Sequence, residues 1–509
     1  MGRPVLVVSV WGDPSGWSPA TYRFRGARYC SRTTLLPVVA GLSGRSLRVL
    51  LVVPDTLAAT KWQGFKSWPE ISSSVRELVR GYLREFSREF SEWGSVALGD
   101  LEGLVEVVVC PGVGRYPVNG GWAVFEGSLE LFLLCALLNS LRRALDLAKG
   151  GGLEVYVDLS HGVNYLPSSL ALASQYLRWV LELRGVEVEL VALNSDPYPR
   201  VRGRGCGDVE LEVHELRPPG LPKVLPQPRG EELEEALKLL LNPRTILSEG
   251  FRATYPPEPA NQRLRDAVEE LWYSAYYGYA LLALQRGLPT LAKVAGGGSL
   301  LETYVGKLLE VLYAGLGSVP VEVEEGSYVI ETSAVLNSGV AEACVRLLQV
   351  LAAVDYLAEK TSGYRNRDPA EGYTLSELEE VYRNVMSGVT YPGVEHLYGR
   401  ELRELTEDVC AYTCLTGRQE FDWTLWSELK RRIREALGEP PKEGREEPEN
   451  CVRRCSENEE IDRGRIRVRY SEKFKPSLED RNFIAHLGLL YNGVEASLRA
   501  QSPSRQHQQ

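Results

Sequence analysis

Apolar residues in the first half of the chain fall in short, nearly unbroken runs. The runs are 5–10, 47–53, 104–110, 153–158 and 186–193. Each is too short for a buried helix and too uniformly apolar for a half-exposed strand, which fits strands covered on both faces. Between them, residues 33–42, 75–93, 129–148 and 167–184 repeat apolar positions at the spacing of one helix face. Alternating β and α units predict an α/β domain over 1–216, built on a doubly wound, mostly parallel, Rossmann-like sheet.

The period changes beyond 217–230, a Pro/Arg-rich segment that reads as a linker. Helices at 231–241, 261–288, 299–316, 340–360, 375–385, 396–415, 423–437 and 477–500 predict an all-α region over 231–500. Residues 319–324 and 328–332, around Glu325-Gly326-Ser327, predict a β-hairpin inserted between helices. Residues 438–464 read as a long acidic loop and 501–509 as a disordered tail. No internal repeat is present.

Composition changes this picture little. In 509 residues, 44% hydrophobic and 25% charged side chains describe an ordinary globular chain. Residues 5–10 are too short for a signal-peptide core, and no run reaches membrane-spanning length, so a cytoplasmic protein is expected. The net charge of −10 argues against broad nucleic-acid coating. Two stretches are nonetheless basic: residues 1–50, with seven arginines and one acid, and 463–475, with Arg463, Arg465, Arg467, Arg469, Lys473 and Lys475 against Glu472. An anionic ligand near either, or a solvated surface, are the two readings. The nine cysteines hold no Cys-x-x-Cys pair. Cys410/Cys414 and Cys451/Cys455 are each four apart, which favours one or two disulfides clamping the intervening loop over zinc; buried free thiols are the default for the rest.

Ligands of open α/β sheets sit outside the carboxyl ends of the strands. Those ends are polar here: Ser9 to Trp17, Asp158-Leu159-Ser160-His161-Gly162-Val163-Asn164, and Asn194-Ser195-Asp196. Free amides where residues 158–164 lead into a helix would suit a phosphate. Neither Gly-x-Gly-x-x-Gly nor Gly-x-x-x-x-Gly-Lys-Ser/Thr occurs, so dinucleotide and P-loop readings are weak.

A second candidate lies near the chain's end. Ser477 with Asp480 forms a capping-box pattern, and Phe483, Leu487, Leu490 and Val494 form one helical stripe. Arg481 and His486 would then stand about 140° apart around that helix and flank a groove. Two such helices across a two-fold axis would bring two arginines and two histidines together.

A sheet domain with Asp158-Leu159-Ser160-His161-Gly162 after a strand, then a helical region ending in Arg481-Asn482-Phe483-Ile484-Ala485-His486, resembles the CARF–HEPN ribonucleases of type III CRISPR systems. The resemblance runs in order from the opening strand to the terminal Arg-Asn-x-x-x-His, with the basic 465–470 segment between. It implies a CARF domain that senses cyclic oligoadenylate, usually the tetra-adenylate, and a HEPN domain that cuts single-stranded RNA. Ligand contacts are then expected from Ser9, Trp11, Gly12, Asp13, Thr33, Thr34, Asp158, Ser160, His161, Gly162 and Asn164, with Trp11 or Trp17 stacking adenines. Catalysis would fall to Arg481, Asn482 and His486, with no metal or other cofactor and in a homodimer or higher homo-oligomer. The rival readings are an interaction protein or scaffold whose helical half merely dimerises, and two others: a ligand-sensing transcriptional regulator and a ligand-activated DNA nuclease. The regulator would need a basic winged-helix segment and the DNA nuclease a carboxylate–lysine core; the sequence offers neither.

Overall fold

A computed structural model of the chain describes residues 2–94, 101–162, 165–198, 205–220, 225–296, 298–364, 368–391, 394–418, 420–438, 450, 453, 455, 463–471, 489 and 494–498. It forms two compact units. One comprises Met1–Pro222, Glu234–Ala260 and Ser299–Ala352; the other comprises Lys223–Leu233, Asn261–Gly298 and Ala353–Gln509. The first unit therefore draws on residues well beyond the 217–230 segment.

The first unit is organised on an eight-stranded sheet. In chain order its strands are β1 (Val5–Trp11), β2 (Ala20–Phe24), β3 (Ala27–Ser31), β4 (Leu47–Pro54) and β5 (Val105–Cys110). After the hairpin β6 (Val113–Val118) and β7 (Gly121–Glu126) come β8 (Gly152–His161), β9 (Glu187–Ser195) and β10 (Glu210–Leu216). The spatial order is β3-β2-β10-β9-β8-β1-β4-β5. The five strands expected from the apolar runs are all present, and each adjacent pair among them is parallel. Every residue of β1 is buried, as a central parallel strand requires. Helices Leu129–Leu147 and Tyr165–Leu183 pack on each other and on the central strands, while Leu35–Gly41 and Trp68–Glu92 pack against β2, β3 and β5.

The antiparallel additions were not anticipated. The β2–β3 hairpin turns at Arg25-Gly26, both with positive φ (51° and 79°). An arginine rarely adopts that backbone; here its guanidinium donates to the Tyr156 hydroxyl at 2.6 Å and to Glu215 at 2.8 Å. β10 joins that hairpin to the rest of the sheet, parallel to β2 and antiparallel to β9. A disulfide from Cys30 on β3 to Cys206, 176 residues on, staples the same edge.

The expected hairpin at 319–332 exists as β11 (Glu322–Glu324) and β12 (Ser327–Ile330), turning at Glu325-Gly326. It joins the first unit: β12 runs parallel to β7, giving a four-stranded sheet β11-β12-β7-β6.

The second unit contains helices Gln262–Tyr277, Leu375–Val381, Val394–Thr416 and Trp426–Gly438. It is not all-α. β13 (Tyr373–Thr374), β14 (Phe421–Leu425), β15 (Ile466–Tyr470) and β16 (Val494–Leu498) form a sheet in the order β13-β15-β16-β14. This corrects two helix expectations. Residues 423–425 are strand rather than the start of a helix, and 494–498 are strand rather than the end of the 477–500 helix. The Asn492-Gly493 dipeptide before Val494 is a helix-stop signal, and Val494, Ala496 and Leu498 then alternate toward the interior. Cys410 is bridged to Cys455, and Cys414 is also disulfide-bonded, while Cys110, Cys135 and Cys344 are buried free thiols. The disulfides thus run between the two Cys-x-x-x-Cys groups in the one case where both partners are described.

Candidate functional site

The chain path creates a crevice between β1 and β8. From β1 it proceeds to β4 and β5 on one side; after β5 it returns to β8 and β9 on the other. The carboxyl ends of β1 and β8 flank the point where the connections diverge, which is where open α/β sheets bind ligands. Register sets Ser9 beside Asp158 and Trp11 beside His161, with an irregularity between Ser9 and Trp11 that re-aims the strand end.

Asp158 is the hub. Its buried carboxylate accepts from the Ser9 hydroxyl at 2.9 Å and the Thr34 hydroxyl at 2.7 Å on Oδ2, and from the Ser160 amide at 3.1 Å on Oδ1. A buried charge is tolerable when its lone pairs are met in this way. Thr34, at the start of helix Leu35–Gly41, also donates its amide to His161 Nε2 at 3.0 Å. That bond places the His161 proton on Nδ1 and requires a neutral ring. Trp17 lies over the ring at 4.3 Å, and desolvation pulls the His161 pKa down to about 4, although Asp158 pushes it up.

The remaining expected residues take varied places. The Gly12 amide donates to the His161 carbonyl at 2.8 Å. Asp13 is exposed and caps the turn Pro14–Gly16 through the Ser15 amide. Thr33 is buried, its hydroxyl accepting from the Leu35 amide and its carbonyl from the Ser31 hydroxyl. The Ser160 hydroxyl accepts from the Ser195 amide at 3.0 Å, which extends the network to β9. A Cβ on Gly162 would sit 2.4 Å from Pro167 and 2.9 Å from Val10, so only glycine fits. Trp11 is fully buried against Trp17 and Phe86, with no acceptor for its indole N–H among the described residues. It has no free face for an adenine, whereas Trp17 is only half-buried. Asn164 lies outside the described residues.

The structure thus brings Ser9, Thr34, Asp158, Ser160 and His161 into one hydrogen-bonded cluster. Ser9, Thr34 and Asp158 face each other, so their geometry shapes the crevice rather than lining it. The seven arginines of residues 1–50 do not converge on it as free cations. Arg3, Arg23, Arg25, Arg28, Arg32 and Arg45 are ion-paired to Glu187, Glu210, Glu215, Glu210, Glu89 and Glu154 respectively, and Arg48 donates to the Leu47 carbonyl.

One neighbouring residue escaped the sequence reading. Asp55, at the end of β4, is fully buried and accepts from the Gly112 amide at 2.8 Å and the Trp68 indole at 3.0 Å. Burial pushes its pKa up to about 7. The signal was an acid directly following an apolar run.

In the second unit, Arg481, Asn482 and His486 lie outside the described residues. The basic segment before them is engaged structurally. Arg463 pairs with Glu379 at 3.1 Å, Arg467 donates to the Gly372 carbonyl, and Arg469 pairs with Glu495 at 2.8 Å beneath the Trp423 ring.

A doubly wound α/β domain with polar strand ends at its switch point has the architecture in which open sheets bind ligands. Residues 6–197 match the family described as the CARF domain of the CRISPR system endoribonuclease Csx1. A CRISPR system endoribonuclease Csx1 from Methanocaldococcus jannaschii is 28% identical over 197 residues. Residues 6–197 of the first unit are thus similar to the CARF domain of the Csx1 type. The similarity covers 38% of this chain and 37% of that relative's length. No helix among the described residues is long and apolar enough to cross a membrane.

Proposed function

We propose that the chain is a CRISPR-associated endoribonuclease whose cutting of single-stranded RNA is switched on by cyclic oligoadenylate, most simply the tetra-adenylate. The β1–β8 crevice carries this reading. The half-buried Ser160, His161 and Trp17 at its mouth suit the riboses and adenines of a cyclic oligonucleotide. Two copies related by a two-fold axis would present matching crevices to a symmetric ligand.

Cleavage would use the ribose 2′-hydroxyl as nucleophile and needs no metal. His486 from two chains would share removal of the 2′ proton and protonation of the 5′ leaving oxygen. Arg481 would hold the scissile phosphate with its fork of donors and stabilise the developing charge. Asn482 would orient His486 or the phosphate. The products would be a 2′,3′-cyclic phosphate and a 5′-hydroxyl. Binding in one domain and chemistry in another require coupling through a two-state element.

The test is an RNase assay with and without cyclic tetra-adenylate, in the presence of a chelator. Cleavage only with the ligand, unaffected by chelation and lost in His486→Ala, is the expected result. Ligand-independent cleavage, or full activity of His486→Ala, would overturn the reading.

A further inference from the structure

A second polar cleft, of about 290 Å³, lies within the second unit between residues 379–383 and the helix Val394–Thr416. His396, Arg400 and Arg403 line one wall. Their spacing of i, i+4 and i+7 puts them in one stripe along that helix. Arg383 lines the opposite wall. Tyr382 stacks on Tyr398 at 4.2 Å, and the Tyr398 hydroxyl donates to the Leu378 carbonyl at 2.9 Å, which fixes the distance between the walls.

The carboxylates of the cleft are largely neutralised. Of the two carboxylates that line it, Glu379 is held by Arg383 at 2.6 Å and Arg463 at 3.1 Å, while Arg400 of the cleft pairs with buried Glu401 behind it at 3.1 Å. Only Glu395 is exposed without such a partner among the described residues. Arg403 and His396 are exposed and make no hydrogen bond or ion pair among the described residues. A cleft in which arginines outnumber acids, inside a region of net negative charge, marks a local site for an anion rather than a general basic surface. Arg463, Arg467 and Arg469 are engaged by Glu379, the Gly372 carbonyl and Glu495, whereas Arg403 of this cleft has no such engagement among the described residues.

We propose that the cleft lined by Arg383, His396, Arg400 and Arg403 binds the phosphate backbone of single-stranded RNA. This deepens the nuclease reading and rests on it only for the identity of the polyanion. Arginine forks suit phosphate oxygens, and contacts of this kind position a strand without reading its sequence.

The test uses the full chain and a fluorescein-labelled 2′-O-methyl oligoribonucleotide, which keeps its phosphates but lacks the nucleophile. Binding is followed by anisotropy over a range of salt concentrations. Arg403→Ala is expected to weaken binding and to lower the slope of log Kd against log salt by about 0.7, the single-strand value for one phosphate. Arg383→Ala with Arg403→Ala should lower it by about 1.4, with Glu379 still held by Arg463. Lysine at both positions should preserve the slope. An unchanged slope and affinity in the double alanine variant, with an unchanged melting temperature, would overturn the proposal. So would equal displacement of the oligonucleotide by polyglutamate, which points to an acidic peptide instead. Wild-type chain that binds the oligonucleotide through this cleft but never cuts unmodified RNA would sink the nuclease reading and leave the cleft assignment standing.

Discussion

The Thr34 hydroxyl donates to Asp158 at 2.7 Å, while the amide of the same residue donates to His161 at 3.0 Å. One residue at the head of a helix therefore senses two positions at the end of β8. Thr34→Val keeps the shape and the amide but removes the hydroxyl. Asp158 would retain only the Ser9 and Ser160 donors, and a buried carboxylate short of one donor costs about 1–3 kcal/mol. Thr34→Ser should restore most of that loss. Thermal unfolding of the three proteins measures stability, and calorimetric titration with cyclic tetra-adenylate measures whether the crevice keeps its geometry. Equal melting of Thr34→Val and wild type would show that the contact is immaterial.

His161 makes stability depend on pH in a predictable direction. The unfolded chain protonates this residue near its ordinary value of 6.5, whereas the folded chain resists protonation down to about pH 4. Between those values the unfolded state binds more protons, so the contribution is complete above about pH 6.5 and is lost as pH falls toward 4. The loss is of the order of 3 kcal/mol, since one unit corresponds to about 1.4 kcal/mol. Asp55 works in the opposite sense, its raised pKa making stability fall as pH rises from about 4 to about 7. His161→Gln keeps an acceptor for the Thr34 amide and cannot titrate. Denaturant melts of wild type and His161→Gln between pH 4 and 7 should converge at neutral pH and diverge in acid, with the variant the more stable there.

Much of the first unit was legible because parallel strands buried on both faces leave a one-dimensional trace. The run at 5–10 became β1, and its polar exit pointed to the crevice at the strand's end. The hairpin β2–β3 left no such trace, because Arg25 occupies a backbone region normally given to glycine or asparagine and is held there by Tyr156 and Glu215, residues remote in sequence. The β6–β7 turn did carry a signal, Asn119-Gly120, which the strong helical pattern that follows at Leu129–Leu147 overshadowed. The strand at Val494–Leu498 was misread because Val494 fits the helical stripe through Phe483, Leu487 and Leu490 as well as it fits a two-residue alternation. Within the crevice, residue types identified the participants, but not that Ser9, Thr34 and Asp158 bond to one another. That arrangement depends on the register of β1 against β8 and on a helix joined to neither strand directly.

The second sheet of the first unit rests on a close approach. A Cβ on Gly121 would lie 1.9 Å from the Gly326 carbonyl oxygen, and Gly121 has a φ of 144°. Gly121→Ala is therefore expected to separate β12 from β7 and to destabilise the unit by about 1–3 kcal/mol, combining backbone strain with lost pairing. Gly326→Ala tests a different quantity, since no heavy atom lies within 4 Å of its Cβ position and only its φ of 79° opposes the change. Hydrogen exchange at Trp122 and Phe125 should rise far more in Gly121→Ala than in Gly326→Ala. Equal exchange in the two would show that backbone strain, not the approach of β12, governs this sheet.

The disulfide from Cys410 to Cys455 joins the helix Val394–Thr416 to a cysteine within the 438–464 segment, a separation of 45 residues. Cross-linking a loop of that length removes unfolded-state entropy worth about 2–4 kcal/mol. Cys410→Ser is expected to lower the melting temperature of the second unit and to leave that of the first unchanged, because the first has its own bridge at Cys30–Cys206. Cys30→Ser should show the reverse, since its bridge holds the β2–β3 hairpin beside β10. Scanning calorimetry on both variants, with a reductant titration of wild type, separates the two effects. A single transition that shifts equally in both variants would mean that the two units unfold as one, and that neither bridge acts locally.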